Sequence, residues 1–409
     1  MGETANKVKI VGGGLTGILA AFEAHRLGWR DIELHEQFAR LGGAARPGER
    51  GGLEVRDSRI YFGPKGDAVR NLLETHGLTF EDFEERFGSV STGQWGEPIY
   101  TQDFGGPALY AEGLGLTRPA GETLADRIGA YPVEIQSALG RYCRWHLGDV
   151  LTELHQSAAV PLACDRVYPT GAAPPASPLA DELYAAPCAA SGRSTAALPM
   201  GGFPAFFRDC RKALLDLGVT VNEETLVSPR HALAAHQPGE TLVWAADPTP
   251  LFKAAGVPTP RVFSKSFAAY VFKARWTGAL PFYVQNFTAR GVCFRIYVYE
   301  SRGEALLTAE CVGESSDHEL RREIVGLLEG FAGELALGEL VNVSIKPRWT
   351  YHSTQTLRGL KALRAAMAEK LGASFVAGAW EPYAMSEKFA QVSTGLVAAL
   401  GQGRRVAAA

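Results

Sequence analysis

A chain of 409 residues is longer than one hydrophobic core usually serves, so two domains are expected. Hydrophobic residues make up 46 % and charged residues 21 %, as in an ordinary folded protein, and no run of about 18 apolar residues offers a membrane-spanning helix. A formal net charge of −3 gives no electrostatic footing for nucleic acid or an anionic membrane surface.

The elements begin at once. Val8 to Val11 is a short apolar run suited to a strand buried on both faces. Gly12, Gly14 and Gly17 follow at GxGxxG spacing, and a helical stretch leads to Gly28. A second strand, Ile32 to His35, ends on Glu36. Each position has a mechanical reason: Gly12 permits a tight turn, Gly14 admits a pyrophosphate to the backbone, and Gly17 lets helix and strand pack closely. The phosphates would meet free N–H groups and the positive end of the helix dipole, and Glu36 would accept from ribose hydroxyls. The run is broken by glycines and lacks a basic leader, so it does not read as a signal peptide.

Arg40, Gly42 and Gly43 form a second glycine turn. Leu53 to Asp57 and Ile60 to Phe62 suggest strand, and Asp67 should cap a helix ending at Gly77. From Thr79 to Pro199 the pattern weakens, with helical spacing at Leu124–Ile128 and Glu134–His155 and an Ala/Pro-rich connection over Pro161–Pro199. After Gly201-Gly202 a helix is expected over Phe203–Leu217, then strands at Val219–Val221, Glu223–Val227 and Thr241–Ala246. Residues 262–275 and 292–312 suggest longer strands, Asp317–Leu335 a helix, Leu340–Lys346 a strand and Thr356–Leu371 a helix. A strand at Ser374–Ala377, Gly378 and a helix over Ser386–Leu400 close the chain. Six scattered cysteines, none in a CxxC pair, and nine histidines with no HExxH suggest reduced thiols in a cytoplasm and no metal site.

Five blocks in this order resemble FAD-dependent enzymes of the amine oxidase, protoporphyrinogen oxidase and phytoene desaturase superfamily. They are VGGGLTGILAA with Glu36, RLGG (Arg40–Gly43), LPMGGFPAFFRDCRKALLDLGVTVNEETLV, TLVWAAD and SFVAGAWEPYAMSEKFAQVSTGLVAAL. A looser similarity to UDP-galactopyranose mutase runs through GLEVRDSRIYF, with Arg59 at a histidine position, Phe263–Phe267, and Trp380–Met385. The resemblance implies an α/β fold: a discontinuous Rossmann-like FAD-binding domain of glutathione-reductase type, with a second substrate domain of mixed β-sheet and helices. The division it implies is 1–80, 200–260 and 340–409 for FAD, and 81–199 and 261–339 for substrate.

By the same resemblance FAD would be held noncovalently by Gly12, Gly14, Leu15, Thr16, Gly17, Glu36, Gln37, Arg40, Gly42, Gly43, Arg46, Val227, Gly378, Glu381, Ala384 and Met385. The family's arginine directly after the glycine pair is Ala44 here, with Arg46 two positions on, and its acid after the last glycine is Ala379. Lys265 or Lys273 could hold a water near flavin N5, Trp349, Tyr351 and Tyr383 could wall a flat substrate, and Arg59, Arg295 and Arg348 could clamp an anionic group. The implied activity is hydride transfer from a C–N or C–C bond of a small or medium substrate to the flavin. A mutase that rearranges a nucleotide sugar without net redox, and a non-catalytic binding protein on the same fold like the Rab GDP-dissociation inhibitors, are the alternatives. The expected partners are a small-molecule substrate and, as an option, a second copy of the chain.

Overall fold

The computed structural model describes residues 7–57, 59–92, 96–102, 121–130, 133–164 and 195–408. The strand Lys7–Val11 stands at the centre of a five-stranded, all-parallel sheet. Across that sheet the order is Phe375–Ala377, Glu240–Trp244, Lys7–Val11, Asp31–His35 and Thr220–Asn222. Such a strand must be apolar on both sides, because helices cover both faces. Val8 and Ile10 pack with Ile18, Val392 and Leu396 from the helices Leu15–Leu27 and Met385–Ala408. Val11 and Trp244 pack on the opposite face with Leu251 and Leu363, from the helices Thr249–Ala255 and Thr354–Leu371. Because all five strands run the same way, their carboxyl ends gather at one edge, where α/β sheets bind ligands.

The second sheet has seven strands in the order Leu335–Tyr351, Phe263–Trp276, Glu304–Cys311, Cys293–Ser301, Phe282–Asn286, Arg86–Thr92 and Pro98–Gln102. All neighbours are antiparallel except Phe282–Asn286 with Arg86–Thr92, so the sheet is mixed, as expected. The helix Asp317–Leu328 covers one face through Leu320 and Ile324. The helix Val133–Leu147 meets the other, where the His146 ring touches those of Phe267 and Phe294.

A short hairpin, Gly48–Arg50 with Leu53–Val55, fastens the two sheets together. Glu54 N donates to Ser301 Oγ at 2.8 Å and Arg56 N to Tyr299 Oη at 2.8 Å, while Thr308 Oγ1 donates to the Arg56 carbonyl at 2.6 Å. The Glu54 carboxylate faces the other way. It accepts from the buried Arg56 guanidinium and, at 3.0 Å, from Phe203 N in the first turn of the helix Gly202–Asp216. A Cβ on Gly202 would lie 2.2 Å from that carboxylate oxygen, so the second glycine of LPMGGF leaves room for this cross-sheet bond.

Several expectations change against the structure. Ile60–Phe62 forms no strand and contributes a single bridge, Phe62 to Ala197. The helix over Glu134–His155 stops at Leu147, where Gly148 takes φ +85°. Residues 223–227 run as coil beside Glu36 instead of forming a strand, with Thr225 N donating to the Glu36 carbonyl. The stretch 292–312 is a hairpin, broken where Arg302 and Gly303 both adopt positive φ. The helix from Asp317 ends at Leu328, which leaves a strand of 17 residues, Leu335–Tyr351, paired along its length with Phe263–Trp276. Residues 340–351, expected beside the nucleotide, therefore lie in the seven-stranded sheet. The strands Phe80–Glu84 and Arg86–Thr92 were not legible, since acids interrupt the alternation of the first and its partner Thr195–Pro199 lies more than 100 residues away. Most of the Pro161–Pro199 connection falls outside the described residues.

Candidate functional site

At the edge where the parallel strands end, the first glycine turn shows why each glycine stands where it does. Gly12 has φ +105°, and a Cβ there would lie 2.7 Å from Ala246 N. A Cβ on Gly17 would lie 1.8 Å from the Gly12 carbonyl oxygen, which no rearrangement of a side chain relieves. Gly14 differs: the nearest atom to its Cβ would be 3.9 Å away, so this position is open toward a ligand. The helix Leu15–Leu27 starts at Gly14 with no side-chain cap, which leaves the first-turn amides from Leu15 to Gly17 as donors for an incoming anion. Gly42 N donates to the Gly13 carbonyl at 2.8 Å, so the second glycine turn lies directly against the first.

Two guanidinium groups flank this double turn. Arg40 is exposed and Arg46 half-buried, and neither has a carboxylate within ion-pairing distance among the described residues. Burial and the nearby charge of Arg40 lower the pKa of Arg46. Repelling cations held beside open glycines and an uncapped helix fit a diphosphate.

Glu36 is 5 % exposed and its carboxylate is already oriented: Oε2 accepts from Gly13 N at 2.8 Å and Oε1 from Phe38 N at 2.9 Å. Each oxygen keeps acceptor capacity for a ribose hydroxyl. Gln37 is exposed next to it, and Val227 is half-buried at the end of the segment that follows Glu36. These residues, with the two glycine turns, form one continuous cradle suited to an adenine dinucleotide.

The last block reaches the same edge. A Cβ on Gly378 would lie 2.2 Å from the Trp244 carbonyl oxygen, and the next residue, Ala379, is held at φ +57° and almost fully buried. Such a conformation is strained for a residue with a Cβ. Trp380 Nε1 anchors the turn to the Ala246 carbonyl at 3.1 Å. The Glu381 carboxylate is ion-paired with Arg364, so it is committed to the protein. The Ala384 carbonyl accepts from Lys388 N, and Met385 opens the final helix.

Tyr383 joins this turn to the seven-stranded sheet, donating to the Thr350 carbonyl at 2.9 Å while His352 N donates to its oxygen at 3.2 Å. Burial lifts the Tyr383 phenol to about 12 and lowers His352, whose ring lies 5.2 Å from that of Tyr383, to about 4. Tyr351 is buried, and its hydroxyl lies 3.0 Å from His146 Nε2. Burial, Arg295 and Lys265 hold His146 well below the usual imidazole range, so it is neutral. Arg295 donates to Gln285 Oε1 at 2.9 Å and to the Pro161 carbonyl, and Gln285 Nε2 donates to Tyr142 Oη at 2.6 Å. Arg59 lies over the rings of Tyr61 and Tyr283 and pairs with Glu85.

The structure therefore brings together Lys265, Tyr351 and Tyr383 near the end of the seven-stranded sheet, and it sets Lys273 apart. Lys273 is an exposed residue ion-paired with Glu339 at 2.6 Å. The side chains of Arg348 and Trp349 lie outside the described residues. His146, Gln285, Tyr142, His352, Lys388 and Glu54 were not singled out in the sequence: Glu54 and Lys388 lie unmarked inside quoted blocks, and the other four are isolated polar residues without a motif.

This geometry defines the class: a dinucleotide-binding Rossmann-like unit joined to a mixed-sheet unit. Residues 10–75 match the NAD(P)-binding Rossmann-like domain family. No curated protein matches the chain. Among solved structures, a reduced UDP-galactopyranose mutase aligns with TM-score 0.66 at 13 % identity, over 97 % of this chain and 94 % of the other. A putrescine oxidase bound to putrescine aligns with TM-score 0.56 at 16 % identity, over 98 % and 99 %. A protein assigned as a protoporphyrinogen oxidase from Exiguobacterium sp. 255-15 aligns with TM-score 0.56 at 15 % identity, over 98 % and 100 %. These likenesses show that the chain shares the fold of those structures.

Proposed function

We propose that the protein is a noncovalent FAD-dependent oxidoreductase. The observation that carries this reading is the double glycine turn with the oriented Glu36 carboxylate and, around it, Arg40 and Arg46, which have no carboxylate partner among the described residues. FAD, when bound, supplies the hydride acceptor at N5. The first-turn amides after Gly14 and the two arginines hold the diphosphate, and Glu36 holds the ribose. The Gly378–Met385 turn brings a second helix start to the same edge, where its dipole favours developing negative charge. Lys265 and Tyr383 form the protein side of the substrate space, Lys265 is the residue proposed to hold a water, and the buried Tyr351 braces that wall through His146. The five described cysteines are all buried, which accords with noncovalent attachment.

In this reading the parallel sheet and its helices form the FAD domain, and the seven-stranded sheet with 121–164 forms the substrate domain. The reaction is hydride removal from a C–N or C–C bond of a small or medium substrate in the cytoplasm. A second reading, rearrangement of a nucleotide sugar over reduced flavin, is favoured by the mutase alignment and by Arg59 stacked over Tyr283. Anaerobic mixing of the yellow protein with candidate substrates tests both. Bleaching of the flavin by substrate supports the oxidoreductase, whereas turnover only after prior reduction by dithionite, with no net substrate oxidation, supports the mutase. A protein that takes up no FAD contradicts both.

A further inference from the structure

The substrate side of the site has an unusual charge balance. Phe263, Lys265 and Phe267 alternate onto one face of their strand, the face that meets Tyr351 and His146. Lys265 lies close enough to the His146 ring to disfavour its protonation, and it has no carboxylate partner among the described residues. The acids around it are committed: Glu85 to Arg59, Glu54 to Arg56, Asp57 to Lys346 and Glu381 to Arg364. Glu310 is buried directly across from Arg295 in the sheet, where the two charges offset one another. His146 is neutral. Among the described residues, one positive charge is left over on this wall, and it belongs to Lys265.

A second lysine adds to it. Lys388 lies in the first turn of the final helix, where a cation opposes the helix dipole, and it is partly desolvated, with the exposed Glu387 beside it in sequence and no ion-pair partner among the described residues. The His352 ring, next to Tyr351 in sequence and beside Tyr383, senses that charge. Two ammonium groups without an ion-pair partner among the described residues thus stand on this side of the site, on different elements, and the acids of the wall around Lys265 are committed to other cations.

We propose that this site takes a substrate bearing a carboxylate or phosphate, held by Lys265 with Lys388 adding to the positive field, and that it turns away substrates whose only charge is cationic. This rests on the flavoenzyme reading for the location of the site. It also separates this chain from the putrescine oxidase of the same fold, whose ligand is a diamine.

The test uses the purified full chain with FAD added, at constant ionic strength. Benzoate, inorganic pyrophosphate and 1,4-diaminobutane are each titrated by calorimetry and by difference absorbance. A colourless protein overturns the flavoenzyme reading; the calorimetric arm still reads ligand charge preference. Saturable binding of benzoate, of pyrophosphate or of both is expected, distinguishing carboxylate from phosphate, with affinity about tenfold weaker in Lys265→Met and largely restored in Lys265→Arg. Lys388→Met should weaken the anions by a smaller factor. Saturable binding of the diamine without the anions, or anion binding unchanged in Lys265→Met, overturns the proposal.

Discussion

The glycine cradle and the wall of the seven-stranded sheet are built by opposite means. In the cradle, the decisive groups are backbone amides and the absence of side chains: Gly12, Gly17 and Gly378 stand where a Cβ would meet backbone atoms between 1.8 and 2.7 Å away. On the wall, the decisive groups are long polar side chains brought from distant positions, such as Gln285 bonded to Tyr142 and His146 to Tyr351. Backbone chemistry must recur at fixed sequence spacing. Side-chain chemistry needs only that the fold bring the partners together. The two regions should therefore fail differently when altered.

The largest effect is expected at their junction. Replacing Glu54 by Ala leaves the Arg56 guanidinium buried without its acid and removes the acceptor for Phe203 N, a loss of about 3–5 kcal/mol in unfolding free energy. The double variant Glu54→Ala with Arg56→Met should recover part of that loss, because no charge is left unpaired. Denaturant titration of the two variants checks this. An equal or deeper loss in the double variant would mean that the pair is favourable in itself.

Within the cradle, Gly17→Ala should cost about 3 kcal/mol or more, since its Cβ meets backbone rather than a flexible side chain. Gly14→Ala should leave the melting temperature within a degree or two, because its Cβ has room, while weakening FAD binding at the same position. Thermal unfolding with and without FAD separates the two. If both variants lose stability alike, the openness assigned to Gly14 is wrong.

The wall should show its character in pH. The folded-state pKa of His352, about 4, lies below the ordinary value of 6.5. The unfolded chain therefore takes up a proton that the folded chain refuses. The associated stability is fully present above about pH 6.5 and is lost as pH falls toward 4, up to about 3 kcal/mol for this residue. His146, buried and also held below the ordinary imidazole range, acts in the same direction. His352→Asn should flatten the stability–pH curve between pH 6.5 and 4. An unchanged slope would place the acid sensitivity elsewhere.

The contrast also explains what the sequence disclosed. The first strand, the glycine turn, Glu36 and the last strand–Gly–helix unit were legible, because a buried parallel strand and a phosphate turn each impose a local pattern. Lys273 and Lys265 looked equivalent, since both sit on one strand. Only the pairing register and its shifts show that the first meets Glu339 outside, while the second shares a strand face with Phe267, whose ring meets His146. The strands Phe80–Glu84 and Thr195–Pro199 define each other across more than 100 residues, a contact no window of sequence contains.

The most direct test of the central claim is a calorimetric titration of the apo-protein with FAD, run beside Glu36→Ala. One FAD bound per chain, with affinity reduced at least about tenfold when the carboxylate is removed, is the predicted result. Absence of FAD binding to the wild-type chain, or equal affinity in the two proteins, would contradict the cradle as the cofactor site.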